Sequence, residues 1–275
     1  MRWGAKTGAT VLVALVLAAG CADDKVGKDN GTGAQPSASP SARPDGVGPH
    51  RSGDCLDASS GTLTRVDCGQ PHEYEVVLSA ALPEGTPDRH PPDVPPAIEA
   101  NCRAARTDYL RGPDADATRL EVLESWPNKE LWDKGDRWFA CVLAERGEDN
   151  NPVRRTGALT GALAAGLGPF QRCMTHEPLA NGPLHVVPCD KPHRSEAVPG
   201  VLVLGLPTDP APSLQEMADR AVPHCERMVA DYLGGPRPGV KPRAIFPLPE
   251  EWPGGRTTAV CYAVSDTMVT GPLRG

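Results

Sequence analysis

Aromatic residues are scarce in this 275-residue chain, at 4% of the total, and basic residues are in the minority: 28 Lys and Arg against 35 Asp and Glu give a formal net charge of −7. The missing basic excess argues against a general nucleic-acid binder, which needs a positive face to neutralise phosphates. Beyond the first 20 residues no stretch is long and apolar enough to span a bilayer. Common catalytic signatures are missing as well. There is no Gly-x-Ser-x-Gly elbow, no Ser-x-x-Lys in a helical setting and no His-Glu-x-x-His. Gly31-Thr32-Gly33 and Gly166-Leu167-Gly168 lack the further glycines and the flanking strand of a phosphate loop. What the chain has instead is 31 Pro and 29 Gly, a composition that points to long loops and linkers, and nine cysteines.

Residues 1–20 are laid out as a signal peptide: basic Arg2 and Lys6, an apolar run from Val11 to Ala19, and small residues ahead of Cys21. The Ala18-Ala19-Gly20-Cys21 ending resembles the bacterial lipobox, in which the cysteine is acylated (palmitate among the chains) and becomes the first residue of the mature protein. One acyl chain binds membranes marginally, whereas several on one cysteine anchor stably. The expectation is a chain held by lipidated Cys21 on the extracellular face of the cell membrane, with ordinary secretion and an idle Cys21 as the alternative. Residues 21–52 are small, polar and Pro-rich, with almost nothing to bury. They read as a disordered tether with a reach of roughly 30 Å.

The remaining eight cysteines split four and four. Cys55, Cys68, Cys102 and Cys141 are separated by 13, 34 and 39 positions, and Cys173, Cys189, Cys225 and Cys261 by 16, 36 and 36. An even number in an exported chain reads as a disulfide framework. The surroundings repeat too. Cys68-x-x-Pro71-His72-x-x-Glu75-Val76 returns as Cys189-x-x-Pro192-His193-x-x-Glu196, followed by Val198. Tyr109-Leu110 and Tyr232-Leu233 each begin seven positions after a cysteine; Trp132 and Trp252 each lie nine before the last one. Each Trp is preceded by Pro (Pro127, Pro247) and Glu (Glu130, Glu250), and followed by Gly (Gly135, Gly255) and Arg (Arg137, Arg256). Two copies of one unit follow, over 53–146 and 169–268, with 147–168 between them as a linker. The Leu159, Leu163 and Leu167 spacing offers an alternative: a short helix or extra strand docked on the second unit.

This pattern resembles the septum-formation-related domain of actinobacterial envelope proteins. The resemblance rests on the Gly53-Asp54-Cys55-Leu56 opening, the Cys-x-x-Pro-His-x-x-Glu core, the mid-domain helical cysteine and the Trp-x-x-Gly-x-Arg…Cys ending, and it covers both units. It implies an envelope location and an association with septation, and it implies no reaction and no catalytic residue.

The expected fold class is α+β: two homologous small disulfide-stabilised domains, each a short antiparallel sheet with one packed helix. Residues 62–68 and 74–82 are rich in β-formers and read as strands, as do Arg137 to Leu143 and Thr257 to Val264. Ile98, Cys102, Ala105 and Tyr109 fall on one face of a helix over 96–111, opened by Pro95-Pro96 and closed by Gly112. In the second unit Ser213 and Glu216 form a capping box, Leu214, Ala218, Ala221, Cys225 and Tyr232 line a face, and Pro223 should kink or split the helix. Three connectivities are open per unit. Sequential pairing is favoured: Cys55–Cys68 and Cys173–Cys189 across a hairpin, Cys102–Cys141 and Cys225–Cys261 from helix to last strand. A helix–strand loop of about 40 residues would stabilise by roughly 3–4 kcal/mol on the chain-entropy estimate.

His72, Glu75, Trp132, Arg137, His193, Glu196, Trp252 and Arg256 are the candidate binding residues. Cys-x3-His offers two zinc ligands, but the oxidising compartment favours disulfides, so no metal or cofactor is expected. A His–Glu dyad suits acid–base work, yet no nucleophile accompanies it. The alternative placing of His72 and His193 is in a turn before a strand, hydrogen-bonded to Glu75 and Glu196. The two Trp–Arg sets suit a surface for a peptide, a glycan or a protein, or else cover the disulfide and the sheet end. The expected role is non-catalytic: binding or scaffolding in the envelope, with an unknown envelope protein or cell-wall ligand as partner and no nucleic acid. The alternative is an envelope hydrolase built on His72/Glu75 or His193/Glu196.

Overall fold

A computed structural model describes residues 48–61, 63–179 and 185–274. Cys21, the signal segment and the tether up to residue 47 lie outside the described residues. The first half holds β1 (Cys55–Asp57), β2 (Thr64–Val66), β3 (Tyr74–Ala81), helix α1 (Pro96–Leu110), β4 (Leu120–Ser125), the short α2 (Lys129–Asp133) and β5 (Trp138–Glu145). The second holds β6 (Cys173–Met174), β7 (Val186–Val187), β8 (His193–Ala197), β9 (Leu202–Val203), α3 (Leu214–Leu233), β10 (Val240–Ile245) and β11 (Thr258–Val269). The protein is α+β, with two antiparallel sheets. The first runs β2-β1-β3-β5-β4 and the second β10-β11-β8-β6-β7, with β9 on β11. Read from its other end, the second order repeats the first, strand for strand.

β5 is buried on all but its last residue, as a central strand covered on both faces should be. One face meets α1 through Ile98, Cys102 and Leu110; on the other, Leu56, Val76, Trp138 and Ala140 form a smaller cluster. β4 and β10 were not legible as strands. Both are edges, and β10 carries Pro242, which an edge tolerates because the missing N–H has no ladder partner to lose.

The four bridges are Cys55–Cys68, Cys102–Cys141, Cys173–Cys189 and Cys225–Cys261, with Cα separations of 5.3, 5.1, 5.3 and 4.9 Å. The helix-to-strand bridges lock α1 to β5 and α3 to β11.

Three sequence expectations change. The left-handed cap of α1 is Arg111 (φ 55°), not Gly112; a Cβ on Gly112 would sit 2.5 Å from Leu163 Cβ, so this glycine makes room for packing. α3 begins with the expected capping box but runs unbroken through Pro223, which lies on its exposed face. Its buried stripe begins at Met217, while Leu214 stays 47% exposed. Third, residues 147–168 are no free linker. Val153 N–H donates to Glu145 C=O (2.8 Å), Arg155 and His72 exchange backbone bonds (2.9 Å each), and Leu159 and Leu163 enter the α1–β5 core. Leu167 packs in the second half's cluster with Met174 and Tyr262. The leucines therefore divide between the halves, in turns rather than a helix or strand.

The halves meet closely. Asp114 accepts the N–H groups of Gly200 and Val201 at 2.9 and 2.8 Å. Arg172 N–H donates to Ala117 C=O (3.0 Å) and Arg119 N–H to Phe170 C=O (2.8 Å). Gly255, at φ +81°, rides so near α1 that a Cβ would lie 2.8 Å from the Ala100 backbone; its counterpart Gly135, at φ +99°, faces open space. Alanine at either site should cost about 1–2 kcal/mol of left-handed strain. Gly255→Ala should lose about 1–3 kcal/mol more from the overlap. Equal losses in denaturant unfolding would show that the contact between the halves is not tight.

Candidate functional site

The repeated Pro-His-x-x-Glu runs from a turn into a strand. Regular alternation would send residues three apart to opposite faces, yet His and Glu meet in both halves, and in the second the β8–β11 register shifts beside His193. His72 and His193 are fully buried, and Glu75 and Glu196 are 1% and 0% exposed. Each imidazole Nδ1 donates to a carbonyl two residues back, Gln70 at 2.8 Å and Lys191 at 2.7 Å. Each Nε2 faces its glutamate, loosely in the first half (3.4 Å) and closely in the second (2.7 Å). The glutamates take further donors. Tyr109 Oη–H donates to Glu75 at 2.8 Å and Tyr232 Oη–H to Glu196 at 2.6 Å. Leu159 N–H is shared by both Glu75 oxygens (2.9 and 2.8 Å), and Leu273 N–H donates to Glu196 (2.7 Å).

Each centre therefore ties four elements together: the turn, the strand, the helix through its tyrosine, and a tail that returns after the last strand. The tail is the part that reading by cysteines missed. Thr156-Gly157-Ala158-Leu159 matches Thr270-Gly271-Pro272-Leu273. Gly157 and Gly271, at φ +82° and +84°, donate N–H to Cys68 C=O (2.6 Å) and Cys189 C=O (3.1 Å). That four-residue echo was the available signal. It extends the repeated arrangement past 146 and past 268, the ends given by the cysteine pattern.

Burial, then the glutamate's charge and hydrogen bond, raise the Tyr109 hydroxyl well above its ordinary pKa; burial and the bond to Glu196 do the same for Tyr232. Both phenols remain donors. At His193, burial disfavours the charged ring, but the bonds to Glu196 and to Lys191 C=O and the carboxylate's charge outweigh it and raise the pKa above 6.5. The geometry agrees, because both ring nitrogens face acceptors.

Cys55, His72 and Glu75 place ligand-type atoms within 4.8 Å of one another, as do Cys173, His193 and Glu196. The sulfurs are disulfide-bonded, so the thiolate that zinc needs is not there. The carboxylate oxygens are occupied by N–H and O–H donors. The centre's chemistry is that of a clamp.

The tryptophans turn inward as well. Trp132 and Trp252 are 2% and 1% exposed. Trp132 Nε1–H donates to Asp88 C=O (2.6 Å), and Trp252 Nε1–H to Leu206 and Asp209 C=O (3.0 Å each). Neither ring forms the aromatic surface that the sequence suggested; each pins the loop ahead of its helix. The arginines diverge. Exposed Arg137 stacks 4.2 Å over Trp132, whereas exposed Arg256 reaches Glu251 at 3.5 Å, between the halves.

A family model described as Septum formation matches residues 52–261. The chain belongs to the septum formation family. That one match spans both halves and the segment between them. Neither the curated proteins nor the solved structures yielded a match. Membership links the chain to septum formation, and the two clamps lie within the matched region except for the second tail.

Two outcomes follow from the clamps. Glu75→Ala strands the Tyr109 hydroxyl, the Leu159 N–H and His72, and should destabilise by about 3–5 kcal/mol in denaturant unfolding; Tyr109→Phe should cost about 1.5–3 kcal/mol. For His193 the folded pKa exceeds the unfolded value, so its proton favours the folded state. That contribution is whole below pH 6.5 and fades as the pH climbs through the raised value. Thermal melts from pH 5 to 9 should show this loss, and His193→Gln should remove it.

Proposed function

We propose that this septum formation family member is a non-catalytic, lipid-anchored binding or scaffolding protein of the cell envelope. Its two disulfide-locked halves stand off the membrane on the Pro-rich segment that follows Cys21. The observation that carries the non-catalytic part is the enclosure of both His–Glu pairs: every one of these four side chains is buried and held by donors or acceptors of the fold. A hydrolase would need such a pair open to substrate and water. The four disulfides fit an exported location. No helix among the described residues is long and apolar enough to cross a membrane; the proposed anchor rests on the lipobox-like Ala18-Ala19-Gly20-Cys21 ending.

Cell fractionation tests the anchor. Wild-type protein should partition with membranes and carry acyl mass on Cys21, and Cys21→Ser should appear in the medium. Cross-linking in intact cells should capture envelope partners at division sites. Wild-type chain released without acyl mass would sink the anchor. An envelope hydrolysis lost in His72→Gln at unchanged melting temperature would sink the non-catalytic reading.

A further inference from the structure

Between the halves lies a cavity of about 300 Å³ that the repeat does not explain. Arg103 reaches it from α1, Arg172 from the approach to β6 and Arg256 from the approach to β11. Ile245, Phe246 and Pro247 supply an apolar wall. Two carboxylates also line it, and both are committed. Asp116 pairs with Arg106 and accepts the Thr258 hydroxyl at 2.6 Å; Glu251 faces Arg256 at 3.5 Å and accepts Leu248 N–H at 2.9 Å. Burial works against the Asp116 charge, but Arg106 and Thr258 outweigh it and hold the carboxyl well below the usual range.

Arg103 and Arg172 have no such partner. Among the described residues no carboxylate stands at ion-pair distance from either, and both are held by neutral oxygens. Arg103 Nε–H donates to Gly254 C=O (3.1 Å), Arg172 Nε–H to Thr118 C=O (3.0 Å) and Arg172 Nη1–H to the Tyr262 hydroxyl (3.3 Å). These bonds fix the stems and leave guanidinium donors over for the cavity. Burial, followed by repulsion from Arg256 and Arg106, lowers the pKa of Arg103, and the more distant charges of Asp116 and Glu124 offset this only in part. At Arg172 burial also disfavours the charge, but Tyr262, Glu121 and Asp116 outweigh it and raise the pKa. In a chain of net charge −7 such a cluster is a local arrangement and no reflection of composition.

We propose that this cavity binds an organic oxyanion, a carboxylate or phosphate group on an apolar body. Arg103 and Arg172 take the oxyanion, and Ile245, Phe246 and Pro247 take the body. Guanidinium groups match both oxyanions in planar, bidentate pairs, and a recess out of bulk water strengthens the attraction. The volume sits at the lower end for small-molecule sites. The inference rests on the binding role proposed above and names its ligand chemistry.

The test is an NMR titration of the full chain with benzoate and phenyl phosphate, beside acetate and neutral benzyl alcohol. Benzoate or phenyl phosphate should give saturable shifts of the Arg103 and Arg172 Nε–H signals, and the tighter of the two assigns carboxylate or phosphate as the source. Acetate should bind about tenfold more weakly for want of an apolar body. Arg103→Gln and Arg172→Gln should each weaken the aromatic anions about tenfold or more. Should those variants fail to fold, exposed Arg256→Glu places a negative charge at the rim and should weaken binding likewise. The inference is overturned if neither aromatic anion shifts these signals saturably, if benzyl alcohol binds as well, or if Arg256→Glu leaves affinity unchanged. Fractionation and cross-linking would be untouched by that failure, so the envelope role stands or falls separately.

Discussion

A carboxylate removed from water costs several kcal/mol unless donors replace the lost hydration, and among the described residues Glu75 and Glu196 are almost wholly removed from it. Glu75 and Glu196 set what must surround them: an imidazole from the preceding turn, a phenol from the helix and a backbone N–H from the returning tail. The disulfides act around the same points. β1 pairs Cys55 with Glu75 across the sheet, and β6 pairs Cys173 with Glu196. The covalent bridge and the charged clamp thus hold neighbouring positions of one ladder, and the helix-to-strand bridge fixes the face from which the tyrosine arrives.

Much of this could be read from the chain because the elements concerned carry fixed spacings. The α1 and α3 cysteines fall on apolar stripes that must face the sheet, which favoured helix-to-strand bridging among the three open connectivities, and the bridges are those. Pro-His before a strand gave the turn. What stayed hidden had weaker chemistry. β4 and β10 are edges, with one polar face and, in β10, a proline. Leu159 and Leu273 act through their backbone N–H, which no side-chain pattern reports, and only the Thr-Gly-x-Leu echo marks them. The tryptophans were ambiguous for a related reason: the same indole serves an outer surface or an inner brace, and only the position of the loop carbonyls decides.

The repeat also sorts structure from what is particular to one place. Features present twice, the clamps, the bridges and the buried tryptophans, are what one unit needs to fold. Features present once arise where the copies meet. Arg137 and Arg256 follow their tryptophans at nearly the same offset. The first lies on its own ring and the second turns toward α1 of the other half, because Gly254 and Gly255 press against Glu99 and Ala100 there. The same close approach brings Arg103 beside Arg256. A chain with one unit would have no such cluster, which gives the pairing of two units a consequence beyond added size.

A purely apolar interior would fit this chain poorly. The chain has few aromatics, and among the described residues its hydrophobic contacts fall into five clusters, two of them joined through Ala244, rather than one continuous core. Apolar packing is tolerant of small shifts, and short strands such as β1, β6 and β7 have few ladder bonds to hold their register. A one-residue slip of β3 or β8 would turn Glu75 or Glu196 to the opposite face of the sheet. Tyrosine, tail and imidazole would lose their acceptor together, with a charge left unpaired. The clamp therefore penalises the wrong register far more than it favours the right one over water. That asymmetry lets three-residue strands and long Pro- and Gly-rich loops settle on a single arrangement.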